Sequence, residues 1–427
     1  MKSIVILGAG FGGIQVAKKL SKKIKKYKLT DSYQVILVDQ NAYHTYTPTL
    51  YEIATTSGAV ADENELQKIV AFQLSELFKN LPVRVVTAKV NSIDKNLQEI
   101  RLEKDTRIHF DYLVLALGAQ INYFGIPGLA THSLPLKTFA DAINIRERIL
   151  ELADEREKEN VKIVIGGGGP TGTELAAEIK MLFSTSKRLE NGACKGIVTI
   201  IDGAPTILSQ FKKSIIKTAE KRLAKVGVDI IAGERISSVE ATRVILLSGK
   251  MVPYDLLIWT GGVSPNSIMS TLDMKKDQSG QRVITNEEML CLSESANLAS
   301  AEKIYGIGDA ICFIDPKTNK PTPGVARSAI IQANVVAFNI EQKILADENK
   351  IKTVKPRHYK PMKYPYILPV GGKFAIAEFG PIVYSGVFAW ITKGLVELNY
   401  FLSIFTPLRA LKYWLKGLWI FLRSNKL

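Results

Sequence analysis

Apolar residues fall along this chain in short β-branched runs separated by stretches of helical spacing. Ser3 to Leu7 is such a run and predicts a buried strand, and Ile14 to Leu20 then has helical spacing. Gln34 to Asp39 reads as a strand, Glu63 to Phe78 as a helix, and Val83 to Ser92 as strands. Asp111 to Gly118 is another buried strand, ending in glycine. The alternation then restarts: strand at Val161 to Ile165, helix at Glu174 to Phe183, strand at Ile197 to Asp202, and a closing strand before Gly261-Gly262. Ile304 to Asp309 is a short strand meeting a Gly-Asp pair, ahead of a helix at Ala326 to Ile344. Alternating strands and helices predict an α/β fold with parallel sheets.

Each series opens on the same glycine pattern. Gly8-x-Gly10-x-x-Gly13 lies between a strand and a helix. Gly8 permits the tight turn, Gly10 lets the backbone approach a pyrophosphate, and Gly13 lets helix and strand pack closely. The helix N-terminus supplies free N–H groups and its dipole to the anion. Asp39, ending the next strand, is placed to accept hydrogen bonds from ribose hydroxyls. Its interval from Gly8 exceeds the usual ~20 residues because the lysine-rich segment Ser21 to Ser32 lengthens the first helix or its loop. Gly167-x-Gly169-Pro170-Thr171-Gly172 repeats the cradle, and Asp202 repeats the acid. Two such units predict two dinucleotide sites. No arginine directly follows Asp202, which favours a free 2′-hydroxyl and hence NADH over NADPH. The loop Asn41 to Ala54 is aromatic and polar around Pro48, and suits either packing on a flat cofactor or packing on the core. Gly308-Asp309 is either a turn or a carboxylate for a polyol hydroxyl, with backbone N–H groups facing a phosphate.

The C-terminus differs in kind. Trp390, Trp414 and Trp419 lie there, and Gly386 to Phe405 is apolar but broken by Lys393 and Glu397. Pro407 starts a helix to about Arg423. At ~100° per residue, Arg409, Lys412, Lys416 and Arg423 share one arc, with Leu411, Trp414, Leu415, Leu418, Phe421 and Leu422 on the other side. This predicts an interfacial helix on an anionic lipid surface. The alternative is packing on the protein body or on a second copy in a homodimer. No run reaches the ~18 apolar residues of a spanning helix.

Composition narrows the picture. The chain has 427 residues, enough for two or three domains. The net charge of +15 suits nucleic acid or an anionic membrane, and no nucleic-acid motif is present, so nucleic acid is not an expected partner. Cys194, Cys291 and Cys312 are far apart and form no CxxC pair, against a disulfide framework or a metal site, and a reducing compartment fits. Met1 lies directly before the first strand, leaving no room for a signal peptide.

Together the motifs resemble the type II NADH dehydrogenases, the single-subunit, non-pumping NADH:quinone oxidoreductases. The resemblance rests on Val38 to Ala54, Phe124 to Gly128, Leu134 to Thr138, Gly167 to Glu174, Gly308-Asp309 and the basic, tryptophan-bearing C-terminus. It implies two Rossmann-type domains of the glutathione-reductase-like flavoprotein kind plus a C-terminal amphipathic helical membrane anchor. The implied division is an FAD domain at 1–120 and 300–345, an NADH domain at 121–299, and a membrane-association domain at 346–427. Gly8, Gly10, Phe11, Gly12, Gly13, Asp39, Thr47, Pro48, Gly118 and Asp309 would hold FAD, and Gln40, Val90, Ala326 and Arg327 would also be cofactor-binding. Gly169, Pro170, Thr171, Gly172, Asp202, Gly261 and Gly262 would hold NADH. Glu174 and Gln332 would be the catalytic groups, with a membrane quinone as acceptor and no metal. The implied location is peripheral, monotopic, on the cytoplasmic face of the cell membrane.

One departure stands out. The family pattern Ala-Gln-x-Ala-x-Gln-Gln reads here Ala326-Arg327-Ser328-Ala329-Ile330-Ile331-Gln332. It bears on the quinone head group. The alternatives are a sulfide:quinone reductase-like enzyme, whose flavin-flanking cysteines lack a counterpart in context here, and a non-catalytic NADH-sensing flavoprotein.

Overall fold

The computed structural model describes residues 1–155, 160–185, 195–294 and 303–424. Cys194 lies outside them, as do the last three residues of the expected anchor. The chain divides into two compact units. The first comprises Met1–His44, Phe72–Gln120 and Ser264–Lys363; the second comprises Thr45–Ala71, Ile121–Val263 and Tyr364–Leu427. These units cut the chain differently from the expected domains: 45–71 and the C-terminal helices cluster with the second glycine cradle, and 264–299 with the first.

The first unit is built on a five-stranded parallel sheet in the order Ile304–Gly306, Tyr112–Leu115, Lys2–Leu7, Tyr33–Asp39, Val83–Thr87. Ile4 to Leu7 and Val35 to Val38 are fully or almost fully buried, so these strands read as continuous apolar runs rather than alternating ones. The helix Phe11–Lys26 follows the first strand and packs along the helix Ala326–Asp347. A three-stranded antiparallel sheet, Val90–Asp94, Glu99–Leu102 and Arg107–His109, sits between the fifth strand and the closing strand in sequence.

The second unit repeats the plan. Its five-stranded sheet runs Leu134–Pro135, Leu256–Trp259, Val161–Gly166, Gly196–Asp202, Val228–Ala232. The helix Pro170–Thr185 follows its central strand, and a three-stranded antiparallel sheet, Ile236–Glu240, Arg243–Leu246 and Met251–Pro253, again precedes the closing strand. The unit adds an antiparallel sheet, Tyr366–Pro369, Ala375–Phe379 and Ile382–Gly386, and two helices, Val387–Ile404 and Pro407–Ser424. The α/β fold with two dinucleotide-binding plans is thus as the alternation predicts.

Two local readings differ. The stretch Glu63 to Phe78 is not one helix. A capping box starts it, with the Asp62 side chain accepting from Glu65 N–H at 2.8 Å, but it ends at Val70. Ala71 takes an extended conformation, and Leu74 N–H leaves the helical pattern to donate to Ala42 O at 2.9 Å. Asn41 to Ala54, read as irregular, contains a short strand at Tyr43–Thr45, a single turn at Thr47–Thr49 and a short helix at Leu50–Ile53.

Close packing of strand against helix at the second cradle depends on Gly172. A Cβ there would run into the Gly167 carbonyl and lie 2.7 Å from Thr260 Oγ1. The substitution Gly172→Ala is expected to cost on the order of 1–3 kcal/mol by overpacking, read as a drop in Tm.

Candidate functional site

The first cradle is fixed by hydrogen bonds within its own unit. Gly8 has φ +104°, which an L side chain rarely adopts, and its N–H donates to Val38 O at 2.7 Å. Ala9 N–H donates to Asp39 Oδ2 at 2.6 Å, and Asn41 N–H to Asp39 Oδ1 at 2.8 Å. Burial pushes the Asp39 carboxyl up, and these two N–H groups pull it down. The acid therefore clasps the glycine turn first; each oxygen keeps a second lone pair for a hydroxyl. His44 Nδ1 lies 2.9 Å from Ala9 O, and the ring meets Phe11 edge-on at 5.3 Å. Burial holds its pKa down at about 4, so the neutral ring braces the turn by donating from Nδ1.

The residues fit a pyrophosphate. Gly10 caps the helix with no side chain, leaving first-turn N–H groups without a side-chain cap, and a Cβ on it would meet open space. Gly118, at φ +66°, is open in the same way. Gly12 and Gly13 are closed instead: their Cβ atoms would strike Ile307 Cδ1 at 2.7 Å and the Gly8 carbonyl, respectively. Asp309 lies in a single turn at Gly308–Ala310, and Gly308 N–H donates to Gln332 Oε1 at 2.8 Å. A small recess there is lined by Arg282, Asp309, Gly324, Ser328 and Gln332.

The second cradle repeats the clasp. Gly167, at φ +108°, donates to Ile201 O at 2.8 Å, Gly168 N–H donates to Asp202 Oδ2, and Ala204 N–H donates to Asp202 Oδ1 at 2.7 Å. A Cβ on Gly167 would lie 2.7 Å from Gly261 N, so the Thr260-Gly261 backbone closes one wall. Gly169 is open, and Pro170 starts the helix where a missing N–H costs nothing. Both acids end the strand beside the cradle strand, where such folds bind ligands beyond the strands' carboxyl ends.

The helix of the second cradle also reaches a buried charge cluster. Glu174 and Glu178 stand one turn apart on it. Glu178 is 3% exposed and accepts from Gly372 N–H at 3.0 Å. Arg222 donates to the carbonyls of Val370 and Gly371 at 3.1 and 2.8 Å, holding the same turn. Glu52, from the short helix Leu50–Ile53, pairs with Lys393 of the helix Val387–Ile404. The side chains of Lys393 and Glu52 are only 16% and 4% exposed, so this pair is largely withdrawn from water. The Lys393 ammonium also lies 5.3 Å from the Tyr51 ring centre and 5.8 Å from that of Phe421. Glu397 stands one turn beyond Lys393.

One ammonium among four carboxylates fixes the protonation of this cluster. Burial, then Glu52, pushes Glu178 up to about 8, against Lys393 and Gly372 N–H. Burial pushes Glu397 up to about 7, against Lys393 and with Glu52. Burial also raises Glu174 well above the carboxylate range, opposed by Lys393 and reinforced by Glu52 and Glu178. For Lys393, burial pulls down, but Glu52 and Glu397 outweigh it and the amine rises. The cluster therefore holds protons near neutral pH.

The expected site residues fall as follows. Gly8, Gly10, Phe11, Gly12, Gly13, Asp39, Gly118, Asp309 and Gln332 share the first unit, as do buried Val90 and exposed Gln40. Thr47 and Pro48 are exposed and belong to the second unit. Ala326 and Arg327 open the helix Ala326–Asp347, with Arg327 exposed. Gln332 is 2% exposed, and its Oε1 is committed to Gly308. Pro170, Thr171, Gly172, Asp202, Gly261, Gly262 and Glu174 share the second unit, with Gly262 packed on Phe124. His44, Glu52, Glu178, Lys393 and Glu397 were not singled out as site residues from the sequence. Their signal was there, for Lys393 and Glu397 break an apolar run at helical spacing. Cys291 and Cys312 are buried free thiols, and burial pushes Cys291 up, away from a reactive thiolate.

Two nucleotide cradles on duplicated sheets, with a proton-holding cluster beside one of them, define a nucleotide-dependent redox protein of the two-domain flavoprotein class. The chain belongs to the pyridine nucleotide-disulphide oxidoreductase family, whose model matches residues 2–333. Among curated relatives, the type II NADH:quinone oxidoreductase NdhA of Mycobacterium tuberculosis is 25% identical over 96% of this chain and 86% of its own length. The external NADH-ubiquinone oxidoreductase 2 of Saccharomyces cerevisiae mitochondria is 28% identical over 72% of this chain and 57% of its own. Among solved structures, Plasmodium falciparum NDH2 in complex with NADH matches with a TM-score of 0.80 at 16% identity, covering 100% of both chains. The sulfide:quinone oxidoreductase of Aquifex aeolicus matches at 0.72 and 20% identity, over 100% of this chain and 92% of its own. At those identities the structural matches establish the fold.

The raised carboxyls give stability a pH slope. Between the ordinary carboxyl range and about 8, the folded protein keeps a proton on Glu178 that the unfolded chain has released. Stability contributed by that proton is complete at low pH and is lost as pH rises through about 8. Glu397 adds to the slope in the same direction up to about 7. The substitution Glu178→Gln is expected to flatten the fall of Tm between about pH 5 and pH 8, measured by thermal unfolding in matched buffers.

Proposed function

We propose that this chain is a membrane-associated type II NADH:quinone oxidoreductase, with FAD in the first cradle and NADH in the second. The relatives' names support the activity, and the two clasped cradles support the two nucleotides. The observation that carries the reading is the cluster of Glu52, Glu174, Glu178, Glu397 and Lys393, which joins the NADH cradle's helix to a C-terminal helix. FAD, when bound, supplies acceptance of a hydride and release of an electron pair to quinone.

The protein's own residues do the rest. The first-turn N–H groups beyond Gly10 and Gly169 receive the pyrophosphates, and Asp39 and Asp202 orient the ribose ends. Asp309 sits on the turn that Gln332 holds through Oε1, so Gln332 positions Asp309 and keeps its amide N–H groups for a bound partner. Converting NADH and a quinone to NAD⁺ and a quinol consumes one proton. Glu174, partly exposed, hands that proton on, and Lys393 with its carboxylates replaces it.

Binding to the membrane follows from exposed apolar stripes. Phe388, Ile391, Leu395 and Leu402 stand outward on one helix, and Leu408, Leu411, Leu415, Trp419 and Leu422 on the other. Phe388 and Leu408 are 79% and 83% exposed, which a water-facing helix does not maintain along a whole stripe. Arg409, Lys412, Lys416 and Arg423 flank the second stripe, each contributing ~1 kcal/mol near anionic lipid. Among the described residues, no helix is long and apolar enough to cross a membrane. The stripes therefore lie in the interface, on the cytoplasmic side where NADH is available.

Lys393→Met is expected to lower quinone turnover at least ~100-fold while NADH still bleaches the flavin at the native rate. Equal loss in both half-reactions would remove the cluster from the quinone step. kcat/KM for NADH should exceed that for NADPH by at least ~10-fold, because a 2′-phosphate would meet Asp202. Leu415→Glu with Trp419→Glu should abolish binding to phosphatidylglycerol vesicles and leave flavin reduction by NADH unchanged.

A further inference from the structure

The helix Phe11–Lys26 carries a lysine run that none of the chemistry above uses. Lys19 and Lys22 are exposed one turn apart, and Lys23 lies one turn beyond Lys19. Lys23 pairs with Glu341 of the helix Ala326–Asp347 at 2.9 Å. The chain after that helix returns across it as an irregular segment held by Asn339. Asn339 Nδ2 donates to Arg357 O at 2.9 Å, and Arg357 N–H donates to Asn339 Oδ1 at 2.7 Å. The Arg357 guanidinium lies 4.2 Å over the Phe338 ring, which fixes its fork.

Lys19, Lys22, Lys23 and Arg357 thus share one face of the first unit, with Glu341 as the carboxylate paired among them. Burial, then Lys22, Arg357 and Lys23, holds the Lys19 amine below its usual range. Burial, then Lys22 and Lys19, brings Lys18 down to about 8. Like charges held together at this density favour an anion between them. The face begins eight residues beyond Phe11, about 12 Å along the helix from the first cradle. Lys18 is half-buried, and the Lys23 side chain is 44% exposed with its ammonium held by Glu341.

We propose that this face is a second anion site, for a compact pyrophosphate-bearing ligand, with Arg357 as the bidentate contact and Lys19, Lys22 and Lys23 as point charges. A planar fork matches two phosphate oxygens, and flanking ammonium groups match the further charge that a single phosphate lacks. Free pyrophosphate and a nucleoside diphosphate share this chemistry. The site uses none of the residues of either nucleotide cradle and does not depend on the quinone reading.

The test uses the FAD-loaded protein with its NADH cradle saturated by NAD⁺, titrated calorimetrically at physiological ionic strength. The probes are inorganic pyrophosphate, ADP, orthophosphate and phosphatidylglycerol vesicles. Pyrophosphate is expected to bind once per chain, at least ~10-fold more tightly than orthophosphate. The double substitution Lys19→Gln with Lys22→Gln, and separately Arg357→Lys, should each weaken it ~10-fold or more, with the flavin spectrum and its reduction by NADH unchanged. ADP binding as tightly as pyrophosphate makes free diphosphate sufficient, and tighter ADP binding adds recognition of the nucleoside. The proposal fails if pyrophosphate binds the variants as it binds the native protein, or if orthophosphate binds equally well. It fails equally if vesicles depend on Lys19 and Arg357 while pyrophosphate does not bind.

Discussion

Each of the two cradle turns in this protein is held by a carboxylate at the end of the neighbouring strand. Asp39 takes the N–H of Ala9, and Asp202 takes the N–H of Gly168. Gly10 and Gly169 face open space, so the tip of each turn has no packing of its own beyond the close contacts at Gly8, Gly13, Gly167 and Gly172. The carboxylate adds a restraint to the backbone bonds from Gly8 and Gly167, and it is itself half-withdrawn from water, so both partners need the bond. Both cradles are assembled around that restraint. The helix N-terminus points where the turn aims it, and the glycines that close on carbonyl groups, Gly13 and Gly172, hold helix to strand.

The duplication explains why so much was legible in the sequence. A buried parallel strand must be apolar throughout, a turn at φ near +100° must be glycine, and a clasping acid must end the next strand. Each requirement leaves a residue type at a fixed offset, so both cradles could be read one residue at a time. Legibility ended where chemistry depends on distant pairing. Glu52 is one acid in an aromatic loop, and nothing near it in sequence names Lys393. His44 supports the first turn from a loop with no period of its own. Gln332 stands as a catalytic candidate in the sequence, and nothing near it in the chain shows that its carbonyl oxygen also accepts from Gly308 N–H. The helix Pro407–Ser424 was read as two-sided and is three-sided. Phe421 is buried, Trp414 Nε1 donates to Gly394 O at 2.7 Å, and the exposed leucines form a separate stripe.

The helix Val387–Ile404 presents two unlike faces. Ala389, Lys393, Glu397, Tyr400, Phe401 and Ile404 follow one inward stripe, while Phe388, Ile391, Leu395 and Leu402 follow an outward one. The charges that interrupt the apolar run are on the inward stripe. In most amphipathic helices the charged side meets water. Here the order is reversed, because the charges have partners inside and the outward side is apolar.

The second unit is assembled from three separated stretches of chain, and its buried ion pair joins residues 341 positions apart. Synthesis therefore delivers Glu52 long before Lys393. Until the C-terminal helices emerge, the short helix Leu50–Ile53 has no cation to meet, and its carboxylate must stay hydrated at an unfinished surface. Long-range closure of this kind is slow and leaves apolar surface uncovered meanwhile. The helices Val387–Ile404 and Pro407–Ser424 thus complete the second unit, and a chain released before them leaves that unit an incomplete domain rather than a shorter enzyme.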